Sequence, residues 1–203
     1  MRIRNKIVAL ATIPLVVVVL LMNVSSYLIS KADLQQKQDE LRVQLINQKK
    51  SQLAKYLALA ESSIAKIYSD ADTQENRDKI KQILRDLRYD ADGYFFVYNY
   101  QGVNQVLGPK PEMEGKDLSQ LKDADGKLFI QAIISSAREG DGFVQYQWHK
   151  PSINRDVPKL SFNKMLDKYQ WVVGTGFYID DIEAELGKQL QIGEQEMFSV
   201  LLR

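Results

Sequence analysis

Hydrophobic and polar positions follow three different patterns along the 203-residue chain, and each pattern predicts a different kind of element. Residues 7–29 carry no charged side chain, and at 1.5 Å per residue a helix of this length spans the ~30 Å apolar core of a bilayer. Residues 31–69 contain no Gly or Pro, and their apolar positions recur at spacings of three, four and seven, which indicates a long amphipathic helix. After residue 89, aromatic and β-branched runs bounded by glycine turns predict strands.

The charges around residues 7–29 predict how that segment lies in a membrane. Arg2, Arg4 and Lys6 precede it, and basic residues before a first span favour a cytoplasmic N-terminus. We therefore expect residues 1–6 in the cytoplasm, a transmembrane helix over 7–29, and the following chain outside the cytoplasm. The alternative is a cleaved signal peptide, although no Ala-x-Ala cleavage motif follows the apolar run.

The end of the chain becomes apolar again from Met197. We expect residues 191–203 to be a helix that leads to a second membrane segment. A frayed helix end is the alternative interpretation.

The long amphipathic segment predicts a helix of roughly 39 residues and ~58 Å, longer than one small domain covers. One interpretation is a helix packed on its own sheet, and the other is a stalk that also forms a homodimer through its membrane-proximal part, Leu34 to Leu45. Asp72 and Glu75 resemble a capping box that begins a second helix over Thr73–Arg88.

The second half of the chain predicts five strands joined mainly by hairpins, and consecutive hairpins produce an antiparallel sheet. A short helix interrupts them at Lys127–Glu139, a polar loop occupies Pro151–Pro158, and a final helix covers Glu183–Phe198. The predicted strands are Tyr94–Tyr100, Val103–Leu107, Phe143–Lys150, Lys159–Leu166 and Trp171–Tyr178.

Composition excludes several classes of function. Lys and Arg total 27 and Asp and Glu total 26, so no basic excess favours nucleic acid as a partner. Cysteine is absent and His149 is the single histidine, which excludes disulfides, thiolate catalysis and histidine clusters. We expect no cofactor, no metal and no enzymatic activity. The alternative, an anchored enzyme or calcium site built from aspartate pairs, competes with the turn-forming role of Asp-Gly and with acidic residues at helix entries.

Several blocks together identify a family resemblance. DGYFFVYNYQGVN, PKPEMEGKDL, DGKLFIQAI, GDGFVQYQWHKP, PKLSFNK and WVVGTGFYIDDIE resemble, in order and spacing, the single Cache sensor domain of bacterial chemoreceptors and sensor kinases. The resemblance covers about residues 34–190, and we assign the domain to 31–190. With the membrane helix, the chain resembles the N-terminal half of a methyl-accepting chemotaxis protein.

The resemblance implies an α+β fold with a PAS-like five-stranded antiparallel sheet and a long N-terminal helix. It also implies a periplasmic pocket for a small organic acid or similar metabolite, a parallel homodimer and a location in the inner membrane. The alternatives are the sensor region of a histidine kinase or cyclic-dinucleotide enzyme, and a membrane-anchored interaction domain. Relatives often carry His-Pro where this chain has Leu107-Gly108, so its pocket is expected to be less polar there.

Strand alternation then selects candidate ligand-binding residues. Lys159 is the candidate cation for a carboxylate, beside Ser161 and opposite the core residues Leu160 and Phe162. The alternative for Lys159 is a solvated lysine on an edge strand. Gly174 is expected either to allow close backbone approach or to mark a bulge.

Aromatic residues at alternating positions supply the candidate walls of the pocket. They are Tyr146 and Trp148 on one strand and Tyr98 and Phe96 on another. Aromatic residues in this pattern also form ordinary core, which is the competing interpretation. Lys110 is expected to be a solvated lysine, with a lid contact as the alternative. His149 is expected to be a surface residue, with a pH switch as the alternative.

Overall fold

The computed structural model describes the backbone of residues 3–201 and the side chains of residues 17–19, 21–29 and 31–192. Within these limits four α-helices and six strands follow one another. The helices are α1 (Ile3–Ser69), α2 (Gln74–Asp86), α3 (Phe129–Glu139) and α4 (Ile179–Leu201). The strands are β1 (Arg88–Tyr89), β2 (Gly93–Asn99), β3 (Asn104–Leu107), β4 (Phe143–Lys150), β5 (Arg155–Leu166) and β6 (Trp171–Tyr178).

The strands form one antiparallel sheet in the order β1-β2-β6-β5-β4, and β3 also pairs with β2. The predicted α+β architecture with a long N-terminal helix is confirmed. The two-residue strand β1 is an addition that the sequence pattern did not reveal, because it is too short to show alternation. The five predicted strands all exist.

One face of the sheet packs on α1 and α2, and we call it the helix face. Phe95, Val97 and Val173 project from this face because every second residue of a strand points the same way. They meet Leu57 of α1 and Leu84 of α2, both fully buried. This layer fixes the sheet against the end of α1.

The opposite face, which we call the pocket face, is covered by α3 and the long connection between β3 and α3. Ile130 and Ile133 of α3 are fully buried against it. Their spacing of three places them on one side of the helix. Tyr94, Phe96 and Tyr98 of β2 project into this second core.

Two elements begin four residues earlier than predicted. β5 begins at Arg155 instead of Lys159, because the turn at Pro151–Ile153 and Asn154 is short enough for Arg155 to pair with Lys150. Asn154 adopts the left-handed conformation that such a turn needs, with φ of 51°. α4 begins at Ile179, directly after β6, instead of at Glu183.

The predicted capping box of Asp72 and Glu75 is wrong. Thr73 is the N-cap of α2, and its side chain accepts a hydrogen bond from the Asn76 amide. Asp72 instead accepts two hydrogen bonds from the Arg77 guanidinium.

Helix α1 is continuous in secondary structure, although the chain divides into two compact units, residues 1–44 and residues 45–203. One helix in the described part of the chain is long and apolar enough to cross a membrane. It is the part of α1 from Val17 to Ser69, which contains an 18-residue window with a mean hydropathy of 1.4. The predicted span starts at Ile7, but the side chains of residues 7–16 lie outside those described, as do those from residue 193 onward in the predicted second segment.

Candidate ligand-binding site

Lys159 lies in the middle of the pocket face. It pairs with Tyr146 of β4 on one side and with Tyr178 of β6 on the other. Its side chain is fully buried, at 0% exposure. The amine Nζ lies 3.8 Å from the centroid of the Tyr94 ring, 4.9 Å from that of Tyr178 and 5.8 Å from that of Phe96. Lys159 is therefore not the solvated edge lysine of the competing interpretation.

The Lys159 amine has no hydrogen-bond partner. Burial lowers its pKa to about 7, and Asp92 opposes this only through its charge. The Asp92 carboxylate is itself engaged by the Ser152 amide and hydroxyl, at 2.9 and 2.6 Å. A buried charge normally needs a partner, since removing an ammonium group from water costs several kcal/mol. The three rings offset this cost only in part, at about 2 kcal/mol for a desolvated cation–π contact.

Aromatic side chains of β4 and α3 pack against one another on the same face as Lys159. The Tyr146 ring stacks on Phe129 with centroids 4.7 Å apart, and Phe129 also contacts Trp148 at 5.3 Å. The Trp148 indole Nε1 donates to the Tyr94 hydroxyl over 2.8 Å. These rings are part of the buried core on this face, and apolar rings with a few polar edges also match the usual composition of a small-molecule site.

A buried polar track continues along β5 from Lys159. Asn163 donates through Nδ2 to the Gly142 carbonyl at 2.8 Å and to the Ser161 Oγ at 3.1 Å. Its Oδ1 has no partner. The track lies on the same face as Lys159 because residues 159, 161 and 163 alternate out of one strand.

Gly174 lies opposite Asn163 in β6, in regular register and not at a bulge. An added Cβ would come within 2.5 Å of the Phe96 ring and still closer to the Asn163 Oδ1. The glycine therefore allows close approach, and the groups that approach are the Asn163 amide oxygen and the Phe96 ring.

Besides backbone hydrogen bonds to β3, an ion pair ties the long connection between β3 and α3 to α2. Arg85 of α2 donates to both carboxylate oxygens of Glu114, at 3.1 and 2.5 Å. Glu114 also accepts from the Leu107 amide at 2.9 Å. Lys110, in the same connection, places its Nζ 5.3 Å from the Trp148 ring centroid, so it is half-buried against the site instead of solvated.

Contacts with neighbouring residues explain why Leu107 and Gly108 fit at these two positions. A Cβ at Gly108 would overlap the Arg88 guanidinium, so a larger residue there needs Arg88 to move. Leu107 is buried in the pocket-face core. At these positions the chain places an apolar side chain, and no imidazole, on the pocket face.

The structure brings all seven predicted residues onto one sheet face. They are Lys159, Ser161, Tyr146, Trp148, Tyr98, Phe96 and Gly174. Sequence reasoning missed Tyr94 and Tyr178, whose rings lie nearest to the amine, and Asn163. Their alternation with Phe96, Gly174 and Ser161 was the signal that could have selected them.

His149 is half-buried, with Nδ1 3.8 Å from the Asp156 carboxylate.

Among the described side chains, no group of three acidic, histidine or cysteine residues is placed to hold a metal ion. Around Lys159, the described polar groups are its amine, the Asn163 amide, the Trp148 indole N–H, and tyrosine and serine hydroxyls. Burial raises the pKa of Tyr94, Tyr98 and Tyr146, so these hydroxyls stay protonated and act as hydrogen-bonding groups. The arrangement is suited to binding.

An antiparallel sheet in this order, with a long helix on one face and an enclosed polar site on the other, is the architecture of a PAS-like sensor domain of the Cache class. The chain belongs to the family described as Single Cache domain 2, whose profile matches residues 45–191.

Relatives with known roles agree with this assignment. The sensor histidine kinase MctS of Rhizobium johnstonii is 37% identical over 187 residues, which cover 91% of this chain and 41% of MctS. The crystal structure of a methyl-accepting chemotaxis protein from Vibrio parahaemolyticus is 40% identical, with a TM-score of 0.70, and the match covers 72% of this chain and 99% of that one.

A further solved structure, from work on carboxylic acid recognition by a Cache chemosensory domain, shares the fold at 23% identity. Its TM-score is 0.61, and the match covers 66% of this chain and 96% of that one. The chain spans between 20% and 41% of the length of the curated relatives that it matches.

Proposed function

We propose that the chain is the sensor region of a membrane receptor and that its Cache domain binds a small organic acid on the pocket face. The observation that carries this proposal is the Lys159 amine, fully buried and without a hydrogen-bond partner. A carboxylate that reaches this amine supplies the missing countercharge. A hydrogen bond to a charged group contributes about 1.5–3 kcal/mol.

The surroundings of Lys159 favour a short acid. Tyr94, Phe96 and Tyr178 all lie within 6 Å of the amine by ring centroid, so a small displacement of these rings admits only a small acid. Because Lys159 is fully buried, an acid reaches it only when covering side chains move. The connection that carries Lys110 and Glu114 is the natural lid, since it contacts Trp148 from outside.

Binding produces a signal only when the acid binds one conformation better than another. The direct junction of β6 with α4 at Ile179 supports α4 as the output element. We place the domain outside the cytoplasm, in the periplasm of a cell with an inner membrane, and we expect a parallel homodimer.

The output of the whole receptor is proposed to be chemotaxis, as in the Vibrio relative. A second candidate, control of a histidine kinase, is favoured by one specific observation: the MctS match covers 91% of this chain. The two candidates predict the same ligand site and differ only in the cytoplasmic partner.

Calorimetry on the full chain in lipid nanodiscs tests the proposal. Acetate, propionate, pyruvate and lactate are titrated at pH 6.5, and propionamide serves as a control of matched shape without a charge. We expect saturable binding of at least one acid and none of propionamide. Absence of binding by every acid to folded protein, or equal binding of propionamide, would contradict the proposal.

A further inference from the structure

Lys150, a second buried lysine, lies at the end of β4, the strand that carries Tyr146 and Trp148 into the site. It is only 4% exposed. Its Nζ donates to the Asp181 Oδ1 at 2.6 Å and to the Asp180 Oδ2 at 3.0 Å. These two aspartates form the first turn of α4.

The two buried lysines, Lys150 and Lys159, differ in whether their amines have acidic partners. Burial lowers the pKa of Lys150, but its hydrogen bonds to Asp181 and Asp180 outweigh this, so the pKa lies above the ordinary value. Lys150 therefore stays charged and paired, whereas Lys159 has no partner. Acidic groups at a helix N-terminus are favourable by themselves, so α4 does not need Lys150 in order to begin at this point.

Tyr178 connects the two lysines. Its ring centroid is 4.9 Å from the Lys159 amine and 5.4 Å from the Lys150 amine. Its hydroxyl donates to the carbonyl of His149, the residue before Lys150, at 2.6 Å. Tyr178 is also the last residue of β6, and α4 begins with the next residue. A movement of this ring therefore affects both β4 and the start of α4.

We infer that Lys150 is the positioning residue that couples the ligand site to α4, through its bridge to Asp180 and Asp181. The inference rests on the proposed sensor function. An anion at Lys159 pulls the amine away from the Tyr178 ring, Tyr178 shifts, and the bridge transmits that shift from the end of β4 to the first turn of α4. Small helix shifts of ~1–2 Å are a known switching motion.

The rest of α4 stays attached when the bridge is lost. Ile182 and Leu186 are buried against the domain and anchor the helix independently of Lys150. Removal of the Lys150 charge is thus expected to leave the domain folded and the ligand site intact. It should disconnect the site from the start of the helix.

Hydrogen exchange of the α4 amides at 183–187, measured on the full chain in nanodiscs, tests this inference. The wild type, Lys150→Met, the charge-conserving Lys150→Arg and the double variant D180N/D181N are compared with and without the best-binding acid of the panel above. The matched control is Lys164→Met, which removes a different lysine, paired with Glu61 at 2.7 Å.

We expect Lys150→Met and D180N/D181N to raise exchange at 183–187 at least tenfold without acid and to lose the acid-dependent change. Their affinity for the acid should stay within about threefold of wild type. Lys150→Arg should retain the acid-dependent change, and Lys164→Met should behave as wild type. A role in stability alone would lower the melting temperature without abolishing the acid-dependent change.

Failure of the inference is distinguishable from failure of the proposed function. If an acid binds and Lys150→Met responds to it as wild type does, the coupling role is wrong. If no acid binds, the proposed ligand class fails and the coupling role fails with it, and the acid-free comparison decides only whether the bridge orders the start of α4. Faster exchange in Lys150→Met but not in Lys164→Met supports the bridge, and unchanged exchange overturns it.

Discussion

The amine of Lys159 lies 3.8 Å from the centroid of the Tyr94 ring, where a buried lysine would ordinarily meet a carboxylate. The ring offers only the negative face of its π system, which is a weak substitute for an anion. The structure thus encloses the Lys159 amine in aromatic rings, where its charged form costs stability. That cost is expected where a group is kept for binding.

Replacement of Lys159 by Met tests the role of the charge. Methionine fills a similar volume without an ammonium group, so the variant should lose acid binding by at least tenfold. Its melting temperature should stay within a few degrees of wild type or rise, because an unpaired buried amine is removed. Calorimetry and thermal unfolding measure the two effects. Lys164→Met is the control on the same strand, and wild-type affinity in Lys159→Met would exclude the residue from the site.

Acid binding should depend on pH in a defined direction. Burial lowers the pKa of Lys159 to about 7, so the free site is mostly charged below pH 7 and mostly neutral above it. Above pH 7 an acid must bind together with a proton, and affinity should fall by up to tenfold per pH unit. Titrations at pH 6, 7 and 8 in buffers of different ionisation enthalpy measure both the affinity and the proton uptake. A flat profile over this range would contradict a titrating amine at the site.

The two glycines Gly174 and Gly187 give a matched pair for the packing of the pocket face. Gly174→Ala places a Cβ against the Phe96 ring and the Asn163 amide oxygen, and such overpacking costs about 1–3 kcal/mol. Gly187→Ala lies in α4 with nothing within 4 Å of the new Cβ, so it should be neutral or stabilise by up to about 1 kcal/mol. Urea unfolding measures both. Equal effects of the two substitutions would show that close approach at Gly174 is unimportant.

The Arg85–Glu114 ion pair is predicted to hold the lid connection. Glu114→Gln removes the charge that accepts from Arg85 and from the Leu107 amide. Limited proteolysis within residues 108–118 should become several-fold faster. Glu112→Gln, an exposed neighbour, is the control and should leave the rate unchanged. An unaffected rate in Glu114→Gln would show that other contacts hold this segment.

Strand alternation allowed most of the candidate site to be predicted from sequence. Because the side-chain period of a strand is two residues, Lys159 and Ser161 had to share a face, as did Tyr146 and Trp148. The hairpin that joins β4 and β5 then places these two pairs of residues side by side. The same rule places Gly174 on a face with Tyr178, whereas its position opposite Asn163 depends on the strand register.

Features that depend on long-range contacts were not predictable. The Lys150 bridge joins residues thirty positions apart and requires the exact start of α4, which the helical pattern placed four residues too late. The N-cap of α2 is Thr73 and not the predicted Asp72, because the Asp72 carboxylate accepts hydrogen bonds from Arg77 instead. The burial of Lys110 against Trp148 depends on how the lid connection folds back, which sequence spacing does not determine.

A crystal structure of the domain with its best-binding acid measures the central interaction directly. We predict a carboxylate oxygen at about 3 Å from the Lys159 Nζ, with Tyr94 or Tyr178 displaced to admit it. An acid bound elsewhere, with the Lys159 amine still enclosed by the three rings and unpaired, would contradict the account.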